Sequence, residues 1–242
     1  MGDYQQLISS YPAEKRAWDR TYPWISGVAR PLSFPLSWLF RKAGLRADHV
    51  TLMTAILGVL SMAGLSTGHP SLMIVGGGCL LAYNILDCVD GNLARAWPVP
   101  GAPVGKFWDQ LVGNFYGLSY LFLGIGLGER SSLVMGALVT AEKLLIHSIR
   151  NIFWSVLGPR WEQEKTDSGR STISHAGRWY YAVFYNLVDL QAHTVLLPVC
   201  LLFGLGPLFL AVSLAAAAGE LAITLGLYLR RSFRLRRNSP GR

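Results

Sequence analysis

The sequence predicts an all-α, polytopic membrane bundle: six transmembrane helices preceded by an interfacial amphipathic helix. Three observations carry this. Apolar residues make up 51% of the chain and charged ones only 15%, against about 25% charged in a soluble domain. The apolar residues gather in runs long enough to cross a bilayer, which takes about 20 residues in a helix. The net charge of +8 collects at the two ends and in two connections rather than inside those runs. Such flanks lie near anionic lipid head groups, so the basic balance points to membrane lipids and not to nucleic acid.

Residues 1–46 form a polar, basic N-terminal segment, and Met1–Tyr11 lacks the apolar stretch of a secretory signal. Within this segment, Pro31–Leu45 places Leu36, Leu39, Phe40 and Ala43 on one helical face and Arg41 and Lys42 on another. It is too short to span and predicts a helix lying on the inner leaflet. A helix packed beneath the bundle is the alternative. The six spans occupy residues 47–229, near Val50–Thr67, Ser71–Val89, Lys106–Leu127, Ser131–Leu157, Trp179–Phe203 and Pro207–Leu229. Short Gly-containing connections at 68–70, 128–130 and 204–206 make neighbouring helices antiparallel, whereas the connections 96–105 and 158–178 are longer and polar. Residues 230–242 form an Arg-rich tail suited to lipid contact.

Orientation follows from the cations. With six spans, the basic residues of 15–46, Arg95, Lys106, those of 160–178 and the tail share one side, and the short connections opposite hold only Arg130. The positive-inside rule makes the basic side cytoplasmic, with both termini and the polar site facing the cytoplasm of a bacterial-type inner or plasma membrane. Cys79, Cys88 and Cys200 have unrelated spacings and read as packing residues. Trp18–Trp24 and Trp179–Tyr185 read as interfacial aromatic belts.

Three carboxylates stand where hydropathy disfavours them: Asp87 and Asp90 at the inner end of the second span, and Asp109 at the inner start of the third. An ionised carboxylate near lipid costs several kcal/mol unless compensated. Asp87 and Asp90 are neighbours on one helix face, and Asp109 comes from the next, antiparallel helix at similar depth. Three such groups repel one another unless a divalent cation binds, and hard oxygen ligands suit Mg²⁺, Mn²⁺ or Ca²⁺. Structural ion pairing with Arg95, Lys106 or Arg150 is the competing account. Gly91 and Ala94 leave room for a bulky ligand, Arg95 offers a fork for phosphate oxygens, and Gly105 frees the entry to the third span.

The run Asp87-Cys-Val-Asp90-Gly91-Asn-Leu-Ala94-Arg95, followed by Gly105-Lys-Phe-Trp-Asp109, resembles the signature of the CDP-alcohol phosphotransferases. The resemblance extends over most of the chain, from an amphipathic helix through six spans. It implies transfer of a phosphoalcohol group from a CDP-linked donor (CDP-diacylglycerol or another CDP-alcohol) to an alcohol or phosphorylated-alcohol acceptor, with release of CMP. It also implies Mg²⁺ or Mn²⁺ held by Asp87, Asp90 and Asp109, a nucleotide accommodated by Gly91, Ala94, Arg95 and Gly105, a role in phospholipid synthesis, and a homodimer.

Two departures stand out. Nine residues, not eight, separate Arg95 from Gly105, in a Pro-rich loop. The fourth acidic position of the signature falls on Gly113, where the family has the usual general base. Three consequences are open: His147 or Arg150, about 24 and 29 Å along a helix from Ser131, replaces it; Asp109 or the metal activates the acceptor; or the chain binds a CDP-lipid without turnover. Ala47-Asp48-His49-Val50-Thr51 is a weaker echo, in which Asp48 either meets the cytosine or caps the first span. Glu142, Lys143, Asp189 and Glu220 lie near mid-bilayer and predict either an ion cluster binding the bundle or a polar acceptor cavity. A prenyltransferase would need a second aspartate-rich motif, and a transporter built on those four residues leaves Asp87–Arg95 without a purpose.

Overall fold

Left-handed glycines punctuate the chain. The computed structural model describes residues 2–98, 103–167 and 190–237, and its four positive-φ residues, Gly44, Gly68, Gly128 and Gly204, each follow a helix. At Gly44 the Leu45 amide donates to the Phe40 carbonyl (2.9 Å) and the Gly44 amide to Arg41 (3.0 Å). At Gly204 the same pair links Leu205 to Cys200 and Gly204 to Leu201. These are Schellman closures, which satisfy the last carbonyls of the helix and need a residue without a Cβ clash at positive φ.

All described elements are helices. An N-terminal layer comprises α1 (Asp3–Ser9), α2 (Ala13–Asp19), a π-helical turn (Ile25–Ala29) and α3 (Arg30–Lys42). Pro31 has no amide proton for the carbonyl four residues back, and the turn before it takes the wider π form. The bundle follows with α4 (Ala47–Ser66), α5 (Pro70–Ala96), α6 (Pro103–Gly113), α7 (Phe115–Leu127), α8 (Arg130–Val156), α9 (Gly158–Asp167), α10 (Leu190–Leu202) and α11 (Gly206–Arg237). The main packing pairs are α4 with α5 and α7, α7 with α8, α8 with α11, and α5 with α10.

Close approach in the bundle depends on small residues. A Cβ on Gly64 would meet the Leu72 carbonyl oxygen at 2.8 Å and the Gly76 Cα at 2.9 Å, so α4 and α5 touch through their backbones there. Apolar association in lipid lacks the drive it has in water, and small-residue contact compensates through dispersion. The core between the helices includes Leu65, Leu80, Tyr83, Tyr120, Leu123, Val139 and Leu210. Outward faces carry Leu52, Ile56, Val59, Val75, Leu138 and Leu225, each at least 41% exposed, far more apolar surface than a soluble monomer shows.

Four of the described helices, α4, α5, α8 and α11, are long and apolar enough to cross a membrane, as in an integral membrane protein. The expected third span is divided into α6 and α7. At the break the Asn114 amide bonds back only three residues, to Leu111, while its side chain donates to the Gln110 carbonyl at 3.0 Å. That side chain takes a carbonyl the helix ladder would have used. The first part of the expected fifth span lies outside the described residues; α10 is its described part. So do the Trp179–Tyr185 belt and the connection from Ser168 to Arg178.

The helix expected over Pro31–Leu45 is present as α3, but its buried face differs from the apolar one. Ser33 and Ser37 are fully buried and Arg30 nearly so, whereas Leu39 is 53% exposed; Leu36 and Phe40 pack on Val50, Leu86, Val89 and Leu93. The small polar face is buried because it meets a polar residue of α5, described next. All three cysteines are free thiols.

Candidate functional site

The inner end of α5 carries the carboxylates and the arginine. Asp90 is buried, and one of its oxygens accepts a hydrogen bond from Thr51 Oγ1 of α4 at 2.9 Å. Asp87, half-buried, lies one turn earlier on the same face. The pair supplies hard oxygen donors at the end of a membrane helix, a set that fits Mg²⁺ or Mn²⁺ better than a softer metal. Asp109 falls on α6, and its side chain lies outside the described residues, as do the surroundings of Gly105. Among the described residues no three His, Cys, Asp or Glu side chains converge on one point.

Arg95 folds back along α5, in the direction helical side chains favour. A Cβ on Gly91 would lie 3.2 Å from an Arg95 guanidinium nitrogen, so the glycine creates the channel in which Arg95 rests. One turn of helix brings Arg95 Nη2 to Asn92 Oδ1 at 2.8 Å. Asn92 itself is 2% exposed and fully committed: Oδ1 also accepts from Arg30 Nη1 (3.1 Å), and Nδ2 donates to Ser33 Oγ (3.1 Å) and Ser37 Oγ (3.3 Å). Arg30 donates through Nε to Asp19 at 2.6 Å and lies over the Tyr11 ring, while the Tyr11 hydroxyl donates to the same Asp19 oxygen. Burial first, and then that hydrogen bond, push the Tyr11 phenol up to about 12. Ala94 is exposed beside this network.

A second feature opens next to the first. A cleft of about 520 Å³ is lined by Gly113, Lys143, His147, Arg150 and Glu220, with Trp18, Tyr22, Tyr228 and Arg231 among its other walls. Glu220 of α11 receives Lys143 at 2.8 Å and Arg150 at 2.7 Å, both from α8. Gly113 faces open space: a Cβ there meets nothing within 4 Å. Tyr83 ties the cleft to the carboxylates. Its hydroxyl donates to the Val112 carbonyl at 2.8 Å, so the residue beside Gly113 is pinned to α5 one turn before Asp87. Arg231 is held against the rings of Trp161 and Tyr228, 5.3 Å from each centroid, a cation–π arrangement that keeps the guanidinium at the rim.

The polar residues of the spans thus divide. Of the carboxylates expected around Lys143, Glu220 forms an ion pair with it, and Arg150 joins the same carboxylate. One carboxylate oxygen of Glu142 is buried without a hydrogen-bond partner among the described residues, and Asp189 lies outside them. His193, buried, meets the Tyr120 hydroxyl through Nδ1, and Tyr120 meets Tyr116. Asp48 does not cap α4: the cap position is Arg46, whose amide donates to His49 Nδ1 at 3.2 Å. Asp48 is exposed in the first turn, one turn from Thr51 and well placed against the helix dipole. Reasoning from sequence missed Asn92, Arg30, Asp19, Tyr83 and the bond from Thr51 to Asp90. Asn92 is a polar residue between two signature positions of an apolar helix, and that alone marks it.

No curated protein matches the chain. A model of the CDP-alcohol phosphatidyltransferase family matches residues 45–226; the carboxylate pair, the folded-back arginine and most of the walls of the adjoining cleft lie inside that stretch, and the chain belongs to this family.

Proposed function

We propose that the chain transfers a phosphoalcohol group from a CDP-linked donor to an acceptor hydroxyl bound in the Gly113–His147 cleft, releasing CMP. The observation that carries this is the adjacency of the two features: the signature carboxylates and a polar, roomy cleft joined through Tyr83 and Val112. Asp87, Asp90 and Asp109 would hold Mg²⁺ or Mn²⁺, which when bound neutralises pyrophosphate charge and polarises the phosphorus under attack. Gly91 and Ala94 leave space for the nucleotide, with Gly105 and Asp48 at its edge, and Arg95 directs its remaining donors to the donor phosphates.

Acceptor activation falls to His147. It lines the same cleft as Gly113, and a neutral imidazole there takes the hydroxyl proton as the oxygen attacks phosphorus and CMP departs. Lys143, Arg150 and Arg231 outnumber the single carboxylate Glu220 among the cleft residues, which suits an acceptor bearing a phosphate and disfavours a quaternary amine. The cytoplasmic orientation read from the basic flanks puts soluble acceptors within reach. The reaction supplies phospholipids, and the bundle's apolar faces leave room for a homodimer.

The test is CMP release by purified chain in nanodiscs with CDP-diacylglycerol, Mn²⁺ and a panel of free and phosphorylated alcohols. Metal-dependent release with at least one acceptor is expected, and Asp87→Asn removes it. A second reading, a CDP-lipid binder without turnover, draws on Gly113. Metal-dependent donor binding with no CMP from any acceptor would establish it instead.

A further inference from the structure

The residues that hold Asn92, the hydrogen-bond partner of Arg95, come from a part of the chain outside the family match. Arg95 bonds to Asn92; Asn92 bonds to Arg30, Ser33 and Ser37; Arg30 bonds to Asp19; and Asp19 bonds to Tyr11. Everything beyond Asn92 lies before residue 45, where the match begins. The Gln6 side chain adds a bond to the Ala96 carbonyl at 3.0 Å, next to Arg95. An arginine with several rotatable bonds loses much freedom when held, and here the loss occurs during folding instead of on ligand binding.

We propose that the N-terminal layer is a positioning device for Arg95, with Asn92 as its relay and Arg30 as its anchor. Three features set it apart from ordinary packing. Asn92 uses both amide protons and both carbonyl lone pairs, so its rotamer has one satisfied orientation. Its oxygen faces two guanidinium groups at once, Arg30 and Arg95, which would repel each other without the shared acceptor and without Asp19 behind Arg30. And α3 buries Ser33 and Ser37 toward Asn92 while leaving Leu39 exposed, an inversion of the usual preference that the relay explains. Removing Arg30 takes away one of the two donors to Asn92 Oδ1 and uncouples the relay from Asp19, which loosens the hold on Arg95. The proposal rests on the reading that Arg95 takes the donor phosphates; the positioning itself does not need turnover.

The experiment uses the full chain in nanodiscs with Arg30→Met, Asn92→Ala, Arg95→Gln and the double variant Arg30→Met/Arg95→Gln. Donor KM and kcat are measured, together with the ¹⁵N side-chain resonance of Arg95. Arg30→Met is expected to raise donor KM about tenfold with kcat and acceptor KM little changed, and to make the Arg95 guanidinium mobile. Arg30→Lys restores part of the affinity. In the Arg95→Gln background, Arg30→Met should add nothing, because residues acting through one partner are not additive. Additive losses, or an Arg95 resonance unchanged by Arg30→Met, would overturn the proposal. If wild-type chain binds no CDP-linked donor yet Arg95 becomes mobile in Arg30→Met, the positioning stands and the assigned reaction falls. Should Arg30→Met fold poorly, Asn92→Ala gives the same readouts from the other end of the relay.

Discussion

The inner end of α5 and the neighbouring cleft differ in how completely their polar groups are committed. Around Arg95, each buried polar atom of Asn92 has a partner and the guanidinium has one pose. In the cleft, Gly113 faces empty space and Glu220 is shared between Lys143 and Arg150. A region that meets one constant ligand, a nucleotide diphosphate, gains from being rigid before binding. A region that admits an acceptor and must release a product gains from room. On the proposed function, the fixed half serves the donor and the open half the acceptor, and the contrast is open to attack from both sides.

The largest effect expected is at the carboxylates. Asp87→Asn or Asp109→Asn, or EDTA on the unaltered chain, should lower CMP release at least about 100-fold, measured by coupled nucleotide assay. Full activity after either treatment breaks the donor assignment. His147→Ala should lower kcat about 100-fold, in the range of a lost general base, while leaving CDP-diacylglycerol affinity unchanged by calorimetry. Gly113→Asp sharpens the same point. Its Cβ has free space, so the variant should fold normally and recover CMP release in the His147→Ala background; failure to recover would mean that a carboxylate at that point is out of reach of the acceptor.

Smaller effects concern stability. Glu220→Gln takes the shared carboxylate from Lys143 and Arg150, and breaking a buried pair in this way costs about 3 kcal/mol or somewhat less, since Arg150 is 47% exposed. The thermal midpoint in detergent reads it, and Lys143→Met should cost less than Glu220→Gln because Arg150 keeps its partner. The smallest effect is alkaline. Tyr11 holds its proton more tightly folded than unfolded, so its contribution is complete below its ordinary value near 10 and is lost as pH rises from there through about 12. A late phenolate absorbance step should be missing in Tyr11→Phe, and release of the N-terminal layer should accompany it in the unaltered chain.

Much of the donor half was legible from spacing alone. Asp87, Asp90, Gly91 and Arg95 lie within three helical turns, and i, i+3 and i+4 neighbours stay neighbours in any α-helix. The Gly91–Arg95 contact and the pairing of Lys143 with a carboxylate follow from that same regularity and from the cost of burying charge. What spacing does not carry is which surface of α3 turns inward. Hydropathy favoured Leu39, yet Ser33 and Ser37 are buried because three hydrogen bonds between α3 and Asn92 outweigh one leucine at an interface. The cap of α4 went to Arg46 and not to Asp48 for a similarly local reason that residue type alone does not reveal.

By itself, then, the sequence determined the helical membrane character, the helix ends at the short Gly-containing connections and the family, since these rest on composition, glycine placement and short-range periodicity. The tertiary structure decided the division of the third expected span at Asn114, the company Arg95 keeps, and the cleft that collects Gly113, His147, Arg150 and Glu220. Those features join residues from the N-terminal layer, α5, α6, α8 and α11, separated by up to about two hundred positions in the chain. Contacts at such separations depend on how whole helices cross and approach, and no local pattern in the sequence records that.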